Sequence, residues 1–393
     1  MSEPYDPYAS PPEGPPPEKG ERPNQGGQSM PPWQGAAPGA AGWPAQPPSG
    51  QWPGQQGHQQ GSGQQWPGEQ WLGQGPASRQ RPPYAPPAAQ PVHSEPQPYH
   101  RLLLTPTYKW WRPLLGLAIF GATFAFLTIG VTVAFIVADI IRTGGPVEAS
   151  IDRFGTDMDP VFLLGTNLGL AVAIPAAVLA VVVAHRMRPG WLSSVQGRLR
   201  WGLLLRMSAL ALLMVVLFTF VGGALLPADD GALGIEDMQV VSLNTWLGFA
   251  VVIILTTPLQ AAAEEYAFRG YGMQALGALS RTPWVGAIVT SLAFAFAHGT
   301  QNMPLFLDRL AFGLIACWLV VRTGGLEAAI AMHVMNNVVV FLISAAYDQV
   351  GDTLQVSTIP WAAVIIDVAQ MAVFALIADR YVRHRGLATR SAA

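Results

Sequence analysis

Glu264-Glu265-Tyr266-Ala267-Phe268-Arg269 closes an uncharged apolar run, Trp246 to Ala263, and the two together decide the fold. A helix needs about 20 apolar residues to cross the hydrocarbon of a bilayer. Backbone groups in lipid are satisfied only by helices or a closed barrel. A run this continuous lacks a barrel strand's alternation. Two carboxylates at its end are costly within hydrocarbon and mark a functional position. On a helix Glu265 and Arg269 are four residues apart and share a face. Glu264 points about 100° away, free of that partner. The plain alternative is a helix end at the lipid interface, its charges solvated.

Seven further apolar segments flank this one. The eight are expected near 114–141, 160–184, 201–226, 245–271, 283–299, 304–321, 325–347 and 359–379. Half of the residues are hydrophobic and only 12% are charged. The fold class is therefore all-α, a polytopic membrane bundle of about eight transmembrane helices preceded by a disordered tail. Positive charge sets orientation. Lys109 and Arg112 precede the first segment, Arg186, Arg188, Arg198 and Arg200 follow the second, and Arg269 and Arg281 flank the end of the fourth. Arg322 follows the sixth, and Arg380, Arg383, Arg385 and Arg390 follow the eighth. The other connections are acidic or poor in Arg, with Glu148, Asp152, Asp157 and Asp159, then Asp229, Asp230, Glu236 and Asp237, then Asp348 and Asp352; Arg142 and Arg153 are the exceptions. Both termini are expected in the cytoplasm of a multi-pass cell-membrane protein.

Three regions follow: a Pro/Gly/Gln-rich tail over 1–105, a transmembrane domain over 106–385 with its functional core at about 245–345, and a short cytoplasmic tail over 386–393. The first tail shows neither period of 2 nor of 3.6, so it has no face to bury and reads as disordered. It lacks the charged start and apolar core of a signal peptide. Its Trp43-Pro44, Trp52-Pro53-Gly54 and Trp66-Pro67-Gly68 pieces suit a spacer or a partner's aromatic groove, and name no partner. A net charge of −2 without a basic stripe gives no reason to expect nucleic acid. The lone cysteine, Cys317, sits in an apolar run and reads as packing.

Three later residues join the carboxylates. Phe294 and His298 are four apart, so the phenyl ring can wall the imidazole. His333 and Asn337 share a face in mid-span, where lipid solvates neither and both must turn inward. As donors they suit a developing oxyanion; as structural groups they suit an interhelical clamp. A carboxylate in a dry site suits a general base acting on water. At 1.5 Å per residue, Glu264 is expected about 10 Å from the cytoplasmic edge, His333 about 12 Å and His298 about 21 Å. The mismatch for His298 calls for tilt, or for a helix that starts before the membrane surface.

With these residues quoted, the chain resembles the CPBP family of intramembrane proteases, which comprises CAAX proteases and bacteriocin-processing enzymes. Their signature, Glu-Glu-x-x-x-Arg, then Phe-x-x-x-His, then His-x-x-x-Asn or Asp, reads here as Glu264-Glu265 to Arg269, Phe294 to His298, and His333 to Asn337. Thr323-Gly324-Gly325-Leu326 looks like the family's approach to the last motif, with Glu327 where an aromatic residue is frequent. The resemblance covers roughly 245–345. It implies an endopeptidase acting on a peptide or a lipidated protein, with its active site open toward the cytoplasmic leaflet. Glu264 and His298 would activate water, His333 and Asn337 would stabilise the oxyanion, and Glu265 and Arg269 would orient the site. No cofactor is expected; a zinc-dependent version would use Glu264, His298 and His333, although no His-Glu-x-x-His motif occurs.

Other chemistries fit less well. Lys109, the only lysine of the membrane half, precedes the first span, so a Ser-Lys dyad is excluded, and neither Gly-x-Gly-Asp nor Gly-x-Ser-x-Gly occurs. A transporter would tend to show related halves, and none are visible. A non-catalytic membrane scaffold that keeps the polar cluster as a clamp is the remaining alternative. Asp308, Arg309, Asp367 and Asp139 are further polar residues in apolar surroundings. Asp139 reads as interfacial, and Asp367 is placed to line the same cavity.

Overall fold

The computed structural model describes residues 92–156, 158–225, 240–280 and 282–392. The tail over 1–91 and the acidic connection carrying Asp229, Asp230, Glu236 and Asp237 lie outside the described residues, as do Asp157 and Arg281.

The long helices are α1 (Arg112–Thr143), α3 (Pro160–His185), α4 (Trp201–Leu225), α5 (Leu243–Leu279), α7 (Met303–Thr323), α8 (Glu327–Ala346) and α9 (Trp361–His384). These seven are long and apolar enough to cross a membrane, so the protein is a multi-pass membrane protein. A short α2 (Val147–Thr156) follows α1, and α6 (Pro283–Ala297) is apolar but has only 15 residues. Every expected segment corresponds to one of these helices, the fifth being the short one. Their starts are written locally. Asp159, Ser242, Thr282 and Asn302 cap α3, α5, α6 and α7 by accepting backbone N–H bonds, with Pro in the first turn of three of them.

α8 is the central rod, packed on α4 and α5. α5 also packs on α3, and α7 on α6 and α9. Small residues let these helices approach closely: Ala328, Ala329 and Ala331 of α8 are fully buried, as are Ala316 and Cys317 of α7. α1 is peripheral and leaves most of its apolar surface to lipid. The two arginines that interrupt the charge alternation are accounted for at its far end. Arg142 and Arg153 both pair with the buried Asp139, at 2.7 and 2.5 Å.

The tail boundary needs correction. Residues 92–105 are ordered, with Tyr99, Leu102 and Leu103 in the core and the His93 ring bonded to the Leu102 carbonyl at 2.8 Å. Tyr99 donates to the Leu192 carbonyl, and Tyr108 donates to that of Ala278 at 3.1 Å. The last residues are likewise ordered rather than a free tail: Gln97 and Ser391 exchange bonds at 2.9 Å. Apolar side chains drive both segments down. The aliphatic and aromatic positions at 99, 102 and 103 have no other place to hide at the end of the bundle.

These segments belong to a cap that joins the α3–α4 and α7–α8 connections at one end of the bundle. Leu326 donates its N–H to Ser193, and Val195 donates to Gly324. Arg200 clasps Glu327 through its backbone N–H, Nε and Nη2 at 2.8, 2.9 and 2.6 Å. That clasp explains Glu327 standing where an aromatic residue is frequent. Gly324 has φ +71°, and a Cβ there would lie 2.7 Å from the Thr389 Cα. Only glycine fits so tight a left-handed turn.

Candidate functional site

Glu264 and Glu265 stand where α5 changes its winding. Upstream it is α-helical; Tyr266–Gly272 is a π-helical stretch; Met273–Leu279 is α-helical again. Such insertions are frequent at functional positions. The fourth span therefore continues to Leu279 instead of stopping near Tyr271. Glu264 lies fifteen residues from that end, and His298 fifteen residues from the start of α6. At 1.5 Å per residue both are about 22 Å along their helices from the α5–α6 connection, which removes the mismatch between His298 and Glu264.

The two carboxylates have different surroundings. Glu265 is fully buried; its Oε1 accepts from Arg269 Nη1 at 2.9 Å and from His333 Nδ1 at 2.9 Å. A carboxylate paired with an arginine only accepts, so His333 carries a proton on Nδ1. Arg269 is enclosed by aromatic faces, its guanidinium carbon 4.4 Å from the Phe294 ring centre and 5.4 Å from that of Phe312. Cation–π attraction takes the place of hydrogen bonds there. Glu264 is the accessible one, with 15% of its side chain exposed. Its Oε1 accepts from Gln260 Nε2 at 2.5 Å. Its Oε2 has no hydrogen-bond partner among the described residues and faces His333 Nε2 at 3.7 Å.

His298 caps the C-terminus of α6. Its Nδ1 lies 2.7 Å from the Phe294 carbonyl, which can only accept, so Nδ1 holds the proton and Nε2 is left as an acceptor. The Phe294 ring walls the imidazole at 4.6 Å and reaches the His333 ring at 6.0 Å. Glu264 and His298 are close enough to interact electrostatically. Asn337 donates to Gln260 Oε1 at 3.4 Å. All six expected residues thus meet: Glu264, Glu265 and Arg269 from α5, His298 from the end of α6, and His333 and Asn337 from α8.

Gln260 was not singled out from the sequence, yet it bridges Asn337 to Glu264. The signal was available, since it stands four residues before Glu264 on the same helical face. Asp308, Asn336, Asp367 and Gln370 line a separate recess of about 40 Å³ with Phe312, Met332 and Met371. Phe312 parts it from the His333 ring, 4.8 Å away. Asp367 therefore lines this recess, whose lining does not include Glu264. Cys317 is buried against Thr290 and Ser291. Among the described residues, no three His, Cys, Asp or Glu side chains are arranged to hold a metal ion.

The fold and these side chains define a polytopic membrane protein whose helices enclose a carboxylate–imidazole cluster. Residues 245–339, the segment that builds the cluster, match the family described as Type II CAAX prenyl endopeptidase Rce1-like, a family of proteases. The resemblance to the CPBP proteases stands over that segment. A stretch of 106 residues is 26% identical to Uncharacterized protein YyaK of Bacillus subtilis (strain 168). It covers 25% of this chain and 36% of that protein, so the chain spans about a third of the relative's length. No solved structure matches.

Proposed function

We propose that the chain is an intramembrane endopeptidase that hydrolyses a peptide bond with water activated by Glu264 and His298. The observation that carries this reading is the Glu264 carboxylate, partly exposed as a side chain, whose enclosed Oε2 has no hydrogen-bond partner among the described residues and lies 3.7 Å from an imidazole of another helix. Gln260 fixes the carboxylate through Oε1, and the Phe294 carbonyl fixes the His298 tautomer. A water between Oε2 and His298 Nε2 meets two acceptors and gives up a proton as its oxygen attacks the carbonyl carbon. General-base help of this kind is worth about 10²–10⁴ in rate. The carbonyl oxygen becomes an oxyanion facing α8. There Asn337 Nδ2 turns from its long bond with Gln260 to donate, and His333 donates through Nε2 when its ring carries both protons. Glu265 and Arg269 hold that ring by Nδ1. The abstracted proton passes to the leaving amine, and the C–N bond breaks. The steps rest on side chains alone.

The substrate class is a peptide or a lipidated protein, of the CAAX or bacteriocin-processing kind, met within the bilayer. Both termini lie in the cytoplasm, on the rule that positive loops stay inside. The rival is a scaffold that keeps the buried Glu265–Arg269–His333 group as a clamp. Purified protein in detergent, wild type beside Glu264→Gln and His298→Ala, separates the two on a peptide library. Loss of cleavage in both variants with unchanged melting supports hydrolysis; equal cleavage in all three removes these residues from the mechanism. Full activity after exhaustive chelation counts against zinc.

A further inference from the structure

We propose that Asp308, Asn336, Asp367 and Gln370 form a calcium site that ties α7, α8 and α9 together behind the Phe312 ring. The ion would share no ligand with the Glu264 cluster, so its binding does not depend on peptide hydrolysis.

The four side chains line one recess of about 40 Å³, and none of them makes a side-chain hydrogen bond among the described residues. Asp308 Oδ1 is enclosed there without a partner. Gln370 is only 5% exposed, so lipid and bulk water do not serve its amide. Buried polar groups are ordinarily satisfied, and those left over in a native fold point to something that completes them. Such groups on membrane-spanning helices are functional positions.

Charge in the recess is equally one-sided. The four buried acids of the bundle each hold an arginine: Asp139 with Arg142 and Arg153, Glu265 with Arg269, Glu327 with Arg200, and Asp379 with Arg322 and Arg383. Asp308 and Asp367 hold none, and they lie close enough to repel each other. Arg309 follows Asp308 in sequence but is engaged elsewhere. Its Nη1 donates to Gln301 Oε1 at 2.7 Å and its Nη2 to the Val356 carbonyl at 3.5 Å. Two carboxylates side by side in a low dielectric demand a counter-charge.

The helices bring these donors level. Asp308 is five residues past the start of α7 at Met303, and Asp367 six past the start of α9 at Trp361. At 1.5 Å per residue that is about 8 and 9 Å along each helix. Asn302 holds the two starts together, donating its N–H to the Ser357 carbonyl at 2.7 Å and Nδ2 to that of Ile359 at 2.9 Å. Asn336 joins them from α8, three residues after His333. Phe312 stands between the recess and the His333 ring, 4.8 Å from the latter.

The donor set selects the ion. Carboxylate and amide oxygens suit hard cations. A divalent ion cancels both charges, whereas a monovalent one leaves a carboxylate uncompensated. Calcium takes about six to eight oxygens in an irregular shell, with carboxylates bound through one or both oxygens and amide carbonyls or water filling the rest. Magnesium demands a near-ideal octahedron and gives up its own water reluctantly. Two carboxylates and two amides from three helices meet the first requirement better than the second.

Full-length protein in nonionic detergent, stripped with a chelator, is titrated with calcium chloride while binding and melting are followed. One calcium per chain is expected, with the melting temperature raised by about 5 °C at a hundred times Kd. Asp308→Asn and Asp367→Asn keep the shape and remove a charge. Each should weaken binding by on the order of 10-fold or more, as ligand charge falls. Without calcium each should melt at or above the wild type, because repulsion is relieved; with calcium each should melt below it. A merely structural aspartate does not give that crossing. Gln370→Met leaves both charges in place and should weaken binding by a smaller factor, which covers an aspartate variant that fails to fold. A wild type that neither binds calcium nor melts higher with it overturns the proposal. Binding that survives in all three variants overturns it too, since the ion is then held elsewhere. An equal rise with magnesium at the same concentration defeats the assignment to calcium. Melting that ignores calcium but rises as pH falls replaces the ion with a proton shared by the two carboxylates.

Discussion

The two ends of this bundle are built on opposite plans. At the capped end the connections that carry Ser193, Val195 and Gly324 are bonded to one another, and three arginines are paired: Arg200 with Glu327, Arg322 and Arg383 with Asp379. At the other end α6 stops short and its polar turn is exposed. Glu264 and Glu265 lie on the border between these regimes. One residue apart, they differ in exposure, partners and work. Adjacent identical residues take different roles when a helix turns one to a cavity and the other to a packed core, because low dielectric demands a partner for each buried charge.

That contrast can be broken by substitution. The largest effect is expected from Glu264→Gln, which lowers cleavage about 10²–10⁴-fold as loss of a general base; the melting temperature of the purified protein stays at the wild-type value. Glu265→Gln should act in the other direction, lowering stability by about 3–5 kcal/mol because Arg269 stays buried without its counter-charge. Equal melting curves for the two variants would erase the distinction between them. Asn337→Ala should slow turnover about 10²-fold as loss of one oxyanion donor, with KM little changed; an unchanged turnover number removes that role. Gly324→Ala should cost more than about 1 kcal/mol, since both φ and the Thr389 backbone oppose a Cβ, whereas Gly299→Ala meets only the backbone strain.

The smallest effect is a pH dependence of the cap. Burial, helped by the neighbouring charges of Arg101 and Arg390, holds the pKa of His100 down to about 4. Its unfolded value is about 6.5. The unfolded chain thus binds a proton that the folded chain refuses, so stability is lost as pH falls from about 6.5 toward 4. The melting temperature should decline over that window, and His100→Gln should flatten the decline.

Much of this was legible in the residues. The eight apolar segments gave the helices, because continuous apolar runs in lipid have one solution. The motif residues gave the site, because a polar side chain in mid-span has nowhere to face but inward. The cap was not legible. Residues 92–105 sit after a Pro-rich tail whose composition masks three anchoring side chains, and their partners at 192, 277 and 391 are distant in sequence. The fourth segment, expected to end near Tyr271, continues to Leu279. Gly277 is a contact, where a Cβ would run into the His100 carbonyl. Gln260 was passed over because one amide in an apolar run does not announce a partner on another helix.

The π-helical stretch over Tyr266–Gly272 has one more consequence. An extra residue in a turn advances the angular phase of everything after it by about 100°. α5 is therefore two rods spliced out of phase, the upstream one aiming its carboxylates across the bundle and the downstream one aiming Gln274 and Gly277 outward to Trp191 and His100. A one-residue deletion within the splice would bring the rods back into step, and would then let the helix keep its carboxylate contacts or its cap contacts but not both.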